Sequence, residues 1–317
     1  MSKTALITGI TGQDGSYLAE QLLEQGFRVV GVHRRLSAPN HWRIAHLLDR
    51  LELRSADLHD QGSLWDLLED LRPDEIYNLA AQSFVPTSFS QPVLTAEATG
   101  LGLVRLLEAV RRVSPGSRVY QASSSEMFGN VAQCPQDEDT PLMPASPYAC
   151  AKVYAHHMVR NYREAYGLFA VSGILFNHES PRRGEEFLTR KVAMAVARIK
   201  RGEQRTLMLG DLNPRRDWGF AGDYTRAMQA MLRQEQPKDF VVATGVDHSV
   251  QDWVQASFEA ADLDWREHVR QDPALLRKSE VHRLRGNPAR ARQELGWETQ
   301  VDFRGLVQMM VQAELSP

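Results

Sequence analysis

Ala5-Leu6-Ile7-Thr8-Gly9-Ile10-Thr11-Gly12-Gln13-Asp14-Gly15-Ser16-Tyr17 opens the chain with a short apolar run that meets three glycines and then an amphipathic stretch. Ala5 to Ile7 reads as a strand and Tyr17 to Glu24 as a helix. Glycines in a strand-to-helix turn carry no Cβ, so the backbone can close on a pyrophosphate held at the positive end of the following helix. The spacing is G-x-x-G-x-x-G rather than the G-x-G-x-x-G of simple dehydrogenases. A plain turn with a helix cap is the bland alternative. Placement in the first turn of an alternating series favours dinucleotide binding, with Gly9, Thr11, Gly12, Gln13, Asp14 and Gly15 as the lining residues.

The series continues with a strand at Arg28 to Val32, a helix at Leu64 to Leu71 and a strand at Glu75 to Leu79. One long helix is expected from Val93 to Val113, and a strand from Arg118 to Ala122. Strands alternating with helices of this length form βαβ units, hence an α/β fold of Rossmann type with a doubly wound parallel sheet. Prolines 135, 141, 144 and 147 mark a long connection. Ser146 and Pro147 then look like the cap and first turn of a helix running to Tyr166 and ending near Gly167. Phe169 to Phe176 returns as a strand. Beyond it the pattern loosens: residues 179–190 read as loop and Lys191 to Arg201 as a helix. The expected division is a dinucleotide-binding domain over 1–176, rejoined by about 215–245, with Phe240 to Thr244 back in the sheet. A smaller, mainly substrate-binding domain is expected over 177–317.

With 317 residues the chain can hold one large domain or two unequal ones. Its net charge of −3 gives no reason to expect nucleic acid, so an anionic substrate must be held by a local basic cluster and backbone donors. Two cysteines, Cys134 and Cys150, argue against a disulfide framework and fit a reducing cytoplasm. No stretch approaches the roughly 18 apolar residues of a membrane span, and the opening apolar run is too short for a signal peptide.

The flavour of the cofactor is decided at the end of the second strand. NAD enzymes place an acid there for the ribose hydroxyls. Here Arg34 and Arg35 stand instead, followed by Ser37, and two guanidiniums suit the 2′-phosphate of NADP. Asp57 and Leu58 are expected at the end of the third strand, against the adenine. Leu79, Ala80, Ala81 and Ser83 are expected at the end of the fourth, where small residues let backbone pass close to the cofactor.

Tyr148 and Lys152 lie four residues apart, on one helical face. A free phenol titrates near pKa ~10, and a lysine one turn away together with a cationic nicotinamide would lower that value. Ahead of them, Ser123, Ser124, Ser125 and Glu126 end a buried parallel strand, where such sheets bind ligands. Hydroxyl, tyrosine and lysine support hydride transfer, with the serine orienting the reacting oxygen. Glu126 adds a second base beside them, able to remove a proton next to a newly formed ketone, which is what dehydration requires. A loop glutamate facing water is the alternative. His156 and His157 are adjacent on a helix and cannot face one site together, so no metal site is expected.

These residues resemble the GDP-mannose 4,6-dehydratase family of extended short-chain dehydrogenases, nearly end to end. The resemblance is carried by Ile7 to Leu18, Ile76 to Ser83, Tyr120 to Glu126, Ser146 to Tyr148 with Lys152, Ile174 to Gly184, Thr189 to Lys191 and Arg216 to Gly219. It implies a hydride cycle that consumes no cofactor. Tyr148 takes the proton from the hydroxyl on carbon 4, Glu126 the proton on carbon 5, and water leaves from carbon 6. Ser124 holds the oxygen on carbon 4, while Lys152 holds the ribose. The resemblance further implies that His178 and Arg183 touch the cofactor. It places Ser83, Ser124, Asn177, Lys191, Arg216, Arg277 and Glu280 on the nucleotide sugar, GDP-mannose, in a homodimer or homotetramer. The sequence departs from the family pattern at Ser124, where threonine is usual, in the segment from Leu36 to Asn40, and at Leu94, His282 and Arg283.

Two rivals share the fold: a sibling nucleotide-sugar epimerase or 4-keto reductase, and a non-catalytic NADP-binding regulator. A reductase has no use for Glu126. A regulator would be expected to have lost part of the hydroxyl, tyrosine and lysine set, which is complete here.

Overall fold

A computed structural model describes residues 2–276 and 279–316. Its first strand, β1 (Thr4–Thr8), runs into the glycine turn and then helix α1 (Gln13–Glu24). The helix starts four residues earlier than the apolar pattern suggests, because its first turn is built from polar loop residues with Gly12 as cap. There follow β2 (Arg28–His33), β3 (Glu52–Ser55), α2 (Gln61–Leu71) and β4 (Glu75–Asn78). The next helical stretch is not the single long helix expected. It begins with α3 (Val85–Ser90), restarts at Pro92 as α4 (Pro92–Thr95), passes through a π-helical turn (Ala96–Leu101) and straightens into α5 (Gly102–Val113). Gly100 and Gly102 sit at that turn, where a Cβ would press on Tyr154 and Leu58.

After β5 (Arg118–Ser124) comes α6 (Pro147–Tyr166), capped as the sequence suggests. Ser146 Oγ accepts from Ala149 N at 3.1 Å, and Gly167 ends the helix at φ +68°. Then come β6 (Ala170–Leu175), β7 (Asn177–Glu179), α7 (Leu188–Lys200), β8 (Leu207–Leu209), β9 (Arg215–Phe220) and α8 (Ala221–Leu232). The chain closes with β10 (Phe240–Val242), β11 (Asp247–Ser249), α9 (Val250–Glu259), α10 (Trp265–His268), β12 (Val269–Gln271), β13 (Arg283–Leu284), α11 (Ala289–Leu295) and α12 (Phe303–Leu315).

Seven strands form one parallel sheet in the order β10-β6-β5-β4-β1-β2-β3. From β1 the chain first moves outward to β2 and β3, then returns to β4 on the other side. The carboxyl ends of β1 and β4 therefore flank a topological switch point, the place where open α/β sheets bind ligands. One face of the sheet packs on α1 and α8 through Leu18, Leu22, Tyr120, Met228 and Phe240. The other packs on α2, α5 and α6 through Leu64, Leu68, Leu106, Val110 and Val159.

A second apolar cluster joins α7, α9 and α12 through Val196, Trp253, Phe258, Leu306 and Met310. Beside it lie a small sheet, β11-β9-β13 with β7 on β9, and the pair β12-β8. Of the segment 215–245, α8 and β10 pack with the large sheet, while β9 lies in the small one. Met127, Phe128, Phe176, Val241, Val281 and Leu284 form a seam between the two.

Candidate active site

The glycine turn is shaped by close approach of backbone to backbone. Gly9 sits at φ +72°, and a Cβ there would lie 2.9 Å from Ala80 N. At Gly15 a Cβ would lie 2.5 Å from Gly9 O and 2.7 Å from Ile10 Cα. Thr8 Oγ1 accepts from Leu79 N and Ala80 N at 3.1 and 3.2 Å and donates to Asn78 Oδ1 at 2.7 Å, which locks the ends of β1 and β4 together. The first turn of α1 has no side-chain cap. Glycines that admit no side chain, at a helix end whose amides meet no capping side chain, fit the phosphates of a dinucleotide.

A cavity of about 440 Å³ opens from this turn toward the small sheet. Gly9, Gly12, Gln13, Asp14 and Gly15 line its cofactor end with Leu79, Ala81 and Ser83. Ser124, Glu126, Tyr148 and Lys152 line its middle, and Asn177, His178, Arg183, Lys191, Arg216 and Glu280 line the rest. The cavity walls do not include Thr11, Arg34, Arg35, Ser37, Asp57, Leu58 or Ala80. Arg34, Arg35 and Ser37 are exposed just past β2. Asp57 and Leu58 do not end the third strand as expected; β3 stops at Ser55, and both lie in the turn that follows. Burial opposes ionisation of Asp57, but the His59 backbone and ring and the Arg34 charge outweigh it and hold the carboxyl below its ordinary range. Arg277 lies outside the described residues.

Tyr148 is buried, and burial pushes its phenol up to about 12, against a hydrogen bond with Ser124 that works downward. Lys152 is buried as well; its Nζ donates to Ala122 O at 2.7 Å, and burial brings its ammonium down to about 8. The lysine lies 5.7 Å from the tyrosine ring centre, and its weakened charge does not pull the phenol down. The sequence reading has Lys152 and a cationic nicotinamide act together on this phenol; among the chain's own groups, desolvation is the largest influence on it. Glu126 N donates to Ser124 Oγ at 3.2 Å, so the strand end fixes this hydroxyl between the glutamate and the tyrosine.

Between glycine loop and small sheet runs a dense polar lattice. His178 Nε2 is 2.8 Å from Asp14 Oδ2, and His178 Nδ1 is 2.7 Å from Phe176 O. Gln13 Nε2 donates to His178 O, and Ser180 Oγ donates to Gln13 Oε1. Arg183 pairs with Glu179 at 3.1 Å and stacks on Phe187. On the opposite wall, Arg216 Nη2 donates to Glu280 Oε1 at 2.9 Å, and Lys191 Nζ donates to Met208 O at 3.1 Å.

Several contributors were not legible from spacing. Arg43 donates to Thr11 O and Arg182 O, clamping the glycine loop from the loop after β2. Asp217, beside Arg216, accepts from Thr244 N, Thr244 Oγ1, Gly245 N and Gly286 N; burial still raises its carboxyl to about 6. Phe84 and Phe187 pack edge to face on the cavity wall. Only Asp217 carried a signal, through its place in the Arg216 to Gly219 stretch.

The model of the family described as GDP-mannose 4,6 dehydratase matches residues 6–310. The chain is 50% identical to GDP-mannose 4,6 dehydratase 1 of Arabidopsis thaliana over 99% of its own length and 90% of that protein's. It is 46% identical to the GDP-mannose 4,6 dehydratase of Homo sapiens over 98% and 91%. Among solved structures, it is similar to a dTDP-glucose 4,6-dehydratase of Streptomyces venezuelae with NAD bound (TM-score 0.88, 26% identity, 98% and 96% covered). It is also similar to a UDP-glucose 4-epimerase of Thermus thermophilus in complex with NAD (TM-score 0.87, 26% identity, 99% of each chain).

Proposed function

The chain belongs to the GDP-mannose 4,6-dehydratase family, and from that premise we propose how its cleft works. It is a hydro-lyase that converts GDP-mannose to the 4-keto-6-deoxy sugar nucleotide. The observation that carries this reading is Glu126, a carboxylate on the cavity wall beside the Ser124–Tyr148 pair. An epimerase or a reductase needs the hydroxyl and the phenol but not this third group.

A nicotinamide dinucleotide fits the glycine cradle; when bound, it receives hydride from carbon 4 and gives it back to carbon 6. Arg34 and Arg35, which follow β2 where NAD enzymes place an acid, favour NADP over NAD. Asp57 and Leu58 would face the adenine, and Lys152 the ribose. Burial leaves Tyr148 protonated and brings the Lys152 ammonium down to about 8. An oxidised nicotinamide held beside them would add the positive charge that favours the phenolate, so that Tyr148 could work as a base. Tyr148 takes the proton from the oxygen on carbon 4 while Ser124 orients that oxygen. Glu126 takes the proton on carbon 5, which the new ketone has acidified, and gives it to the departing hydroxide on carbon 6. His178 and Arg183 would hold the cofactor side, and Ser83, Asn177, Lys191, Arg216, Arg277 and Glu280 the nucleotide sugar.

No helix among the described residues is long and apolar enough to cross a membrane. Both cysteines are free, which suits a reducing cytoplasm. Exposed Val93, Leu94, Leu101 and Tyr154 on neighbouring helices suit a contact with a second copy of the chain. The deciding assay mixes protein, NADP⁺ and GDP-mannose and weighs the sugar nucleotide. Loss of one water with no build-up of NADPH is expected. An unchanged mass, or NADPH rising in step with product, contradicts the reading.

A further inference from the structure

The reaction above, on which this inference rests, leaves protons unbalanced inside the cleft. Tyr148 finishes a cycle holding the proton from the oxygen on carbon 4. Glu126 has sent the carbon 5 proton out with the departing water, and carbon 5 must be protonated again. One proton therefore leaves the Tyr148 end and one arrives at carbon 5 in each turnover, with solvent as sink and source. Lys152 donates to the Ala122 carbonyl, an acceptor that cannot hand a proton on.

Ser123 offers a way out. It is buried, lines the cleft next to Ser124, and its Oγ lies 3.2 Å from Nδ1 of His156. His156 stands one turn beyond Lys152 on α6 and lines a second cavity of about 780 Å³, which shares no wall residue with the first. The Ser123–His156 hydrogen bond joins the two spaces.

We propose that Ser123 and His156 form a proton passage from the catalytic cleft to this second cavity. The Ser123 hydroxyl gives its proton to Nδ1 as it takes one from the cleft, so one O–H bond breaks and another forms. The ring then releases the proton on Nε2 to water in the second cavity, which leaves the Nδ1–H tautomer, and a ring flip or proton exchange through that water restores Nδ1 as an acceptor for the next turnover. No oxidant or other reactant is consumed. Burial keeps the imidazole below its ordinary range, Asp239 works the other way, and His157, Arg163 and Arg160 add to the lowering. The resting ring is therefore neutral, with one nitrogen open as an acceptor. The remaining charges around this cavity are paired: Arg163 with Asp239 at 2.9 Å, Arg160 with Glu164 at 2.7 Å, Lys238 with Glu294 at 2.7 Å, and Arg290 with Asp139 at 3.0 Å and Glu138 at 3.6 Å. The carboxylates outnumber the cations by one, and a slightly acidic wall suits the exit of a proton to water.

His156→Gln tests the passage, because glutamine keeps a hydrogen bond to Ser123 but cannot carry a proton. With NADP⁺ and GDP-mannose, kcat should fall on the order of tenfold to a hundredfold, with KM and Tm unchanged and a larger solvent deuterium isotope effect. Added imidazole should restore turnover in His156→Ala. A glutamine variant with wild-type kcat and isotope effect overturns the passage while leaving the dehydratase reading intact. A wild-type protein that leaves GDP-mannose unchanged overturns the reading itself, and the passage with it.

Discussion

His178 Nε2 lies 2.8 Å from a carboxylate oxygen of Asp14, tying β7 to the glycine turn. Both nitrogens of His178 face acceptors, Asp14 and Phe176 O, so both must donate and the ring is an imidazolium. Burial opposes that charge, but the Asp14 charge and hydrogen bond outweigh it and hold His178 above its ordinary 6.5. Burial also opposes ionisation of Asp14, and His178 reverses it, holding the carboxyl below 3.8.

The pair should stabilise the fold within a definite pH window. The histidine part is complete below 6.5 and is lost as pH rises through its raised native value. The aspartate part is complete above 3.8 and is lost as pH falls through its lowered native value. Asp14→Asn leaves a buried cation without its anion and should cost roughly 3 kcal/mol where both parts are complete, between pH 3.8 and 6.5. Thermal melts of wild type and variant across pH check this: the gap should be widest in that mildly acidic window and narrow as pH falls through the lowered Asp14 value or rises through the raised His178 value.

The glycine turn gives a paired test. Gly15→Ala drives a Cβ into backbone at Gly9 and Ile10 that cannot yield without opening the cradle. It should cost about 1–3 kcal/mol and weaken NADP⁺ binding severely. Gly26→Ala meets nothing within 4 Å and suffers only its positive φ of +81°. It should cost about 1–2 kcal/mol and leave cofactor affinity unchanged. Melts and cofactor titrations of the two variants separate the effects.

Arg34 and Arg35 should set the cofactor preference. Replacing both by alanine removes charge-assisted hydrogen bonds worth roughly 1.5–3 kcal/mol each. The KM for NADP⁺ should rise at least tenfold while that for NAD⁺ barely moves, as initial rates with each cofactor would record.

Much of this was written in the sequence because local rules and tertiary context agree. Thr4 to Gly15, and Ser146 to Tyr148 with Lys152, each combine an element boundary with a functional group, so one pattern reports both. Elsewhere the two come apart. The π turn before Gly102 goes with the close packing of Gly100 on Tyr154 and of Gly102 on Leu58, which lie far away in sequence. Asp57 was assigned to a strand end that stops at Ser55, since short edge strands leave little apolar pattern to count. The proximity of Tyr148 to Lys152 could be read from spacing, whereas the desolvation of both could not. The contacts of Arg43 with the glycine loop and of Ser123 with His156 join residues far apart in the chain, so spacing could not pair them.

The internal hydride cycle is tested most directly by supplying GDP-mannose carrying deuterium on carbon 4, in ordinary water with NADP⁺. The product should carry that deuterium on carbon 6, with no labelled NADPH accumulating. Product unlabelled at carbon 6, or deuterium collecting in the reduced cofactor, would contradict the account.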